Sequence, residues 1–96
     1  VFPDAQGRMN LDVMQAGGGV LVVSAFTAHA DARKGRRPSF DSAAPGHVAE
    51  PLIERLVERL RGRGVPVATG RFAATMQVIS VNDGPICILL DSKRLF

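Results

Sequence analysis

Gln77-Val78-Ile79-Ser80-Val81-Asn82-Asp83-Gly84-Pro85-Ile86-Cys87-Ile88-Leu89-Leu90-Asp91 is the stretch whose reading decides the fold. Val78, Ile79 and Val81 precede a polar turn, and Ile86, Ile88, Leu89 and Leu90 follow it. β-branched and aliphatic runs bounded by Asn-Asp-Gly-Pro predict a hairpin. Pro85 cannot donate to a sheet ladder, so it belongs at a strand's first residue or at an edge. Gly84 before it can take backbone angles closed to other residues. A bond to proline in a tight turn is also where a cis peptide costs least. Two apolar strands meeting at a rigid Gly-Pro would hold a backbone carbonyl or amide in one direction. A plain hairpin turn would be built from the same residues.

Working outward, the chain has 96 residues, enough for one domain over 1–96. With 46% hydrophobic and 22% charged residues it has the composition of a soluble globular protein. Its longest apolar runs, residues 20–23 and 86–90, are strand-sized and too short to span a bilayer. No signal peptide or lipidation motif is visible, so no membrane partner is expected. A single cysteine excludes an internal disulfide framework and fits a reducing, cytoplasmic setting. One Cys with His29 and His47 far apart matches no zinc-ligand spacing, and no cofactor signature is present. The opening Val1-Phe2-Pro3 reads as the tail of a strand, which suggests the C-terminal part of a longer domain.

Taken in order, Pro3-Asp4-Ala5-Gln6-Gly7 is a turn signal. Met9, Leu11 and Val13 alternate with Asn10 and Asp12, the pattern of a half-buried strand. Gly17-Gly18-Gly19 is a loose connector; no helix start follows that would make it a ligand cradle. Residues 20–27, Val-Leu-Val-Val-Ser-Ala-Phe-Thr, predict a strand covered on both faces that turns polar at its end. Ser24 and Thr27 there could meet a ligand, or satisfy backbone groups locally.

Arg33-Lys34-Gly35-Arg36-Arg37 places four cations in five positions. They repel one another unless something anionic is near, and a phosphate backbone would fit; a solvated loop is the plainer reading. The net charge of +3 and pI near 10.0 permit a polyanionic partner without demanding one.

One long amphipathic helix begins near Ser42 or Pro45. Val48, Leu52, Leu56 and Leu60 recur every fourth residue, with Ile53 and Val57 widening the stripe. Pro51 is expected in its first turn, where a missing N–H costs nothing. Gly62 and Gly64 end it, and its charged residues read as a wet face. Residues 65–70 form a short edge strand demoted by Pro66. The fold class is therefore α+β, with mixed or antiparallel sheets and one helix.

No acid–base machinery is evident. There is no Ser-His-Asp arrangement of known type and no phosphate-binding glycine signature. Cys87 could be a nucleophile if His29 came close, but a lone Cys on an apolar strand is more often a small buried hydrophobe.

Four stretches taken together resemble the D-aminoacyl-tRNA deacylases (the D-tyrosyl-tRNA deacylase family): Val22-Val23-Ser24-Ala25-Phe26-Thr27; Ala30-Asp31-Ala32-Arg33-Lys34-Gly35-Arg36-Arg37-Pro38-Ser39-Phe40; Thr69-Gly70-Arg71-Phe72-Ala73-Ala74-Thr75-Met76-Gln77-Val78; and Val81-Asn82-Asp83-Gly84-Pro85-Ile86. The resemblance runs in one order from Phe2 to Ser92. It implies the deacylase fold, with early strands preceding Val1, and an enzyme that hydrolyses the ester joining a D-amino acid to the 3′ end of tRNA. Such an enzyme proofreads in trans and would also accept glycine. The family's Ser-Gln-Phe-Thr motif falls on Ser24, Ala25, Phe26 and Thr27, and its Gly-Pro motif, with a cis peptide, on Gly84 and Pro85. In the family that Gly-Pro enters the partner's site in a homodimer and excludes L-amino acids by a clash rather than by tighter binding of the D form.

Under this resemblance, backbone N–H groups near Phe26 and Thr27 form an oxyanion hole, and a water assisted by the RNA 2′-hydroxyl attacks. Ser24, Phe26, Thr27, Gly84 and Pro85 are then catalytic, Ala25, Met76 and Cys87 contact substrate, and Arg33, Lys34, Arg36 and Arg37 hold the RNA. Two positions depart from the family pattern: Ala25 stands where Gln is usual, and Cys87 where Thr is usual. They motivate a catalytically weakened tRNA-binding paralogue as the alternative, beside a dimerising scaffold and a thiol-dependent hydrolase.

Overall fold

A computed structural model describes residues 1–84 and 86–95. Its elements in chain order are β1 (Phe2–Pro3), β2 (Met9–Leu11), β3 (Val20–Val22), a 3-10 turn (Phe26–His29), α1 (Gly46–Gly62) and β4 (Val67–Thr69). β1 and β2 pair antiparallel, and β3 and β4 pair parallel. The architecture is a small α+β arrangement of two two-stranded sheets and one helix among the described residues.

The β1–β2 connection forms where the turn residues predict it. The Asp4 carboxylate accepts the N–H groups of Gln6 and Arg8, both at 2.9 Å, and Gly7 supplies the left-handed φ of +79°. β2 stops at Leu11, short of Val13, because Asp12 and Gln15 exchange side-chain and backbone hydrogen bonds of 2.7 and 2.9 Å. That reciprocal pair turns the chain before the strand can continue. The triple glycine then acts as a connector with one close approach. A Cβ on Gly19 would stand 3.0 Å from the carbonyl oxygen of Pro66, which accepts the Val20 N–H at 2.9 Å.

α1 has no side-chain cap; the Pro45 carbonyl accepts the N–H groups of Val48 and Ala49. Pro51 lies inside the helix, beyond the first turn expected for it, and leaves the His47 carbonyl without its i+4 donor. The C-terminus is a Schellman turn. Gly64 has φ +82°, its N–H reaches the Arg61 carbonyl at 2.9 Å, and the Val65 N–H reaches the Leu60 carbonyl at 3.1 Å. Arg59 and Arg61 lie in the last turn, where the dipole favours cations.

The reversal carries the chain into β4, against α1 and beside β3. Val20, Leu21 and Val22 pair with Val67, Ala68 and Thr69. Among the described residues the buried apolar side chains are Val57, 6% exposed, and Val65, 7%. The helix therefore packs through the Ala49, Ile53, Val57 and Leu60 row, while Val48, Leu52 and Leu56 face outward. β3 is likewise covered on one face only: Val20 and Val22 are half-buried and Leu21 is exposed.

Residues 77–84 and 86–90 do not form the expected hairpin, and Met76 opens no strand. The segment carries no strand assignment, and Ile79 is 95% exposed. A two-stranded ribbon without a packed face is marginal in water, and no third strand supports this one. Cys87 is consequently exposed instead of buried. Pro85, and with it the expected cis bond, lies outside the described residues.

Two truncations on α1 test the packing. Val57→Ala should lower unfolding free energy by about 2 kcal/mol, because a cavity opens at the most buried helix position among the described residues. Leu52→Ala, at a site already 59% exposed, should cost under about 1 kcal/mol. Urea unfolding followed by far-UV circular dichroism measures both, and equal losses would contradict the burial pattern.

Candidate functional site

Because β3 and β4 are parallel, both strands deliver their C-terminal residues to the same end of the molecule. There the Gly70 N–H donates to the Val22 carbonyl at 3.0 Å, which holds the two exits together. Ser24, Thr69, Gly70 and Phe72 leave this end and line a cleft of about 330 Å³ against α1. The helix contributes apolar Ile53 and Val57, the carboxylates of Glu50, Glu54 and Glu58, and Arg61. Arg61 also donates from Nη2 to the Val67 carbonyl at 3.2 Å, tying the helix to β4.

Ser24 is half-buried at the cleft. Ala25 follows in an extended conformation, φ −143° and ψ 91°, and the chain then winds into the 3-10 turn. Within that turn the Ala28 N–H bonds the Ala25 carbonyl and the Ala30 N–H bonds the Thr27 carbonyl. The N–H groups of Phe26 and Thr27 open the turn and donate no backbone hydrogen bond among the described residues. Two adjacent unused donors are what a developing oxyanion requires. The Phe26 ring packs edge-to-face on Phe40, with centroids 5.0 Å apart, which orients the turn from outside.

Phe40 is brought there by the basic loop. Asp31 and Ser39 exchange backbone hydrogen bonds of 2.7 and 2.9 Å and close the loop at its base. Arg33 folds back on Asp31 through a two-pronged ion pair, Nε to Oδ1 at 2.8 Å and Nη2 to Oδ2, while its N–H also donates to Oδ1. These hydrogen bonds hold the Asp31 carboxyl well below the usual carboxylate range. Lys34, Arg36 and Arg37 stay exposed at the tip, in no ion pair among the described residues.

The structure thus gathers Ser24 with Thr69, Gly70 and Phe72, and sets Met76 against Gly70. Gly84 and Cys87 do not line this cleft. No hydrogen bond among the described residues joins Ser24, Thr27 or Cys87 to a histidine, so no nucleophile–base pair is assembled. Sequence reasoning missed the cleft-lining part of α1. The spacing of Glu50, Glu54 and Glu58 was the available signal, since residues four apart share a helix face, but only packing reveals which face meets Ser24.

The depressed Asp31 carboxyl has a defined pH signature. Its contribution to loop order is present above the unfolded value of about 3.9 and is lost as pH falls through the lower folded value. Carboxyl-carbon NMR of Asp31 should show that low titration midpoint, and Arg33→Gln should return it towards about 3.9. An unchanged midpoint in the variant would show that Arg33 is not its cause.

Comparison with known proteins gives these features a context. Residues 1–91 match the profile of the D-Tyr-tRNA(Tyr) deacylase family. The chain is 55% identical over 96 residues to a D-aminoacyl-tRNA deacylase of Symbiobacterium thermophilum, covering all of this chain and 64% of the relative. It is 57% identical over 96 residues to the corresponding protein of Anaeromyxobacter dehalogenans, with the same coverage. A Chloroflexus aurantiacus relative of the same name is 50% identical over 95 residues, which is 99% of this chain and 59% of the relative. The chain spans just under two thirds of the length of these relatives. With nearly its whole length matched, the chain belongs to the D-Tyr-tRNA(Tyr) deacylase family.

Proposed function

We propose that this chain supplies the ester-hydrolysing site of a D-aminoacyl-tRNA deacylase, which removes D-amino acids, and glycine, from the 3′ end of tRNA. The observation that carries this reading is the pair of unused N–H groups on Phe26 and Thr27, which open the 3-10 turn that follows β3. They would stabilise the charge that develops on the ester carbonyl oxygen when water, assisted by the RNA 2′-hydroxyl, attacks. Main-chain donors need no side-chain nucleophile, and among the described residues no hydrogen bond pairs Ser24, Thr27 or Cys87 with a histidine. In this reading Ala25 and Cys87, the departures from the family pattern, leave the essential donors in place.

Selection against L-amino acids is assigned to the Gly84-Pro85 stretch of a second copy in a homodimer, where main-chain atoms occupy the space an L side chain would need. The setting would be cytoplasmic; among the described residues no helix is long and apolar enough to cross a membrane. Lys34, Arg36 and Arg37 would hold the RNA backbone, with Arg33 engaged by Asp31.

Ester loss from D- and L-aminoacylated tRNA tests the reaction. The D form should be hydrolysed and the L form spared; no loss of the D form, with tRNA binding retained, would favour the weakened paralogue. Ala25 is extended and Phe26 opens a helical turn, so Phe26→Pro suits both backbones while deleting one donor. Its kcat should fall roughly 10²- to 10³-fold below that of Phe26→Ala, which loses only the ring. Cys87→Ala should retain activity, and its loss would favour the thiol-dependent alternative.

Salt dependence tests the loop. Neutralising Lys34, Arg36 or Arg37 should each reduce the slope of log affinity against log salt by about 0.7 to 0.9. Arg33→Gln should reduce it by less, because that guanidinium is already held by a carboxylate. Equal slopes for all four variants and the unmodified chain would exclude the loop from RNA binding.

A further inference from the structure

We propose that Met76 is a positioning residue: its thioether clasps the turn that carries Phe72 and so sets the wall of the cleft beside Ser24. The functional meaning rests on the deacylase reading above, while the clasp itself rests on geometry. Arg71 donates its N–H to Sδ of Met76 at 3.4 Å. The same side chain lies over Gly70, where a Cβ would stand 3.2 Å from both Sδ and Cε and 3.6 Å from Cγ1 of Val23. Gly70 is itself fastened to β3 through the Val22 carbonyl. The thioether thus closes the segment 71–76 onto the joined strand ends.

Inside that closed segment Ala73 has φ +59°, and the Ala74 N–H bonds the Arg71 carbonyl at 3.2 Å. A non-glycine residue keeps a left-handed conformation when its surroundings over-determine it, and the clasp is such a surrounding. The turn presents Phe72, half-buried, to the cleft; its Cε1 lies 3.5 Å from where a Cβ on Gly46 would sit, at the first residue of α1. An unbranched, polarisable thioether suits this role, since it fills an irregular gap and accepts a weak hydrogen bond. Leucine would fill the gap without accepting the N–H. A Cβ at Gly70 would push the sulfur back by a few tenths of an ångström.

On the deacylase reading the ester carbonyl meets Phe26 and Thr27, just outside the cleft lining, and a part of the substrate that reaches past Ser24 into the cleft is located by Phe72. Small displacements of such a wall weaken productive binding. The test uses Met76→Leu in the full chain, with Gly70→Ala as a second route to displacing the sulfur. Amide hydrogen exchange at Arg71 is read by NMR, with Ala68 and Thr69 as internal references. KM and kcat are measured on D-aminoacyl-tRNA, and Kd is measured for an amide-linked, non-hydrolysable 3′-D-aminoacyl adenosine.

Met76→Leu should speed Arg71 exchange by about tenfold, the loss of one modest hydrogen bond, and leave Ala68 and Thr69 unchanged. KM and Kd should rise several-fold while kcat stays within about twofold, as expected for lost positioning. Unchanged Arg71 exchange overturns the clasp. Faster exchange with unchanged KM and Kd overturns its positioning role. A wild-type chain that neither hydrolyses the ester nor binds the analogue overturns the deacylase reading instead, and Arg71 exchange still decides the clasp.

Discussion

The structure depends on a chain reversal at Gly64. Only a residue that tolerates positive φ lets the end of α1 close its last carbonyls onto Gly64 and Val65. That closure buries Val65 immediately after the helix and sends β4 back along it, parallel to β3. The close approach of Gly19 to Pro66 admits β3 at the required distance. A larger residue at either glycine would move the two strands whose ends carry the candidate site.

Parallel pairing has a functional consequence that antiparallel pairing would not have. Both strand exits face the same way, so Ser24 and the residues Thr69, Gly70 and Phe72, far apart in sequence, share one cleft, while Phe26 and Thr27 lie in the turn that follows, outside its lining. Main-chain polar groups stand unpaired beyond β3 among the described residues. Unused N–H groups open the 3-10 turn, and the nearby side chains hold that geometry: Phe40 against Phe26, Met76 against Gly70, Arg61 on the Val67 carbonyl. On the proposed reading, a site built this way would tolerate side-chain replacements such as Ala25 better than a triad would, since the donors belong to the backbone.

The basic loop illustrates how charge pattern and structure diverge. Four cations in five positions look equivalent on paper. In the fold one of them is spent on Asp31, at the bridged base of the loop, and the others remain at the tip. Mutual repulsion is thereby reduced where the backbone must stay ordered, and positive charge is kept where an anionic partner could reach it.

The family was legible through the resemblance of four motif stretches in one order. Local chemistry was enough to reveal the first turn at Asp4 and Gly7, the helix and its glycine stop, the start of β3 and a short β4, although β3 ends at Val22 and does not run on to Thr27. Those features depend on residues within a few positions of one another, where capping and turn preferences act. The apolar stretch at 77–90 was misread as a hairpin because its residue types suit a strand while strand formation needs a packed face, and Ile79 has none. Likewise the stripe on α1 was visible, but which half of it is covered depended on where β4 returned. Tertiary structure alone decided that Arg33 pairs with Asp31, that α1 walls the cleft, and that Met76 folds over Gly70. Each joins groups whose approach is set by the parallel strands or by the closed loop, and neither periodicity nor composition encodes that distance.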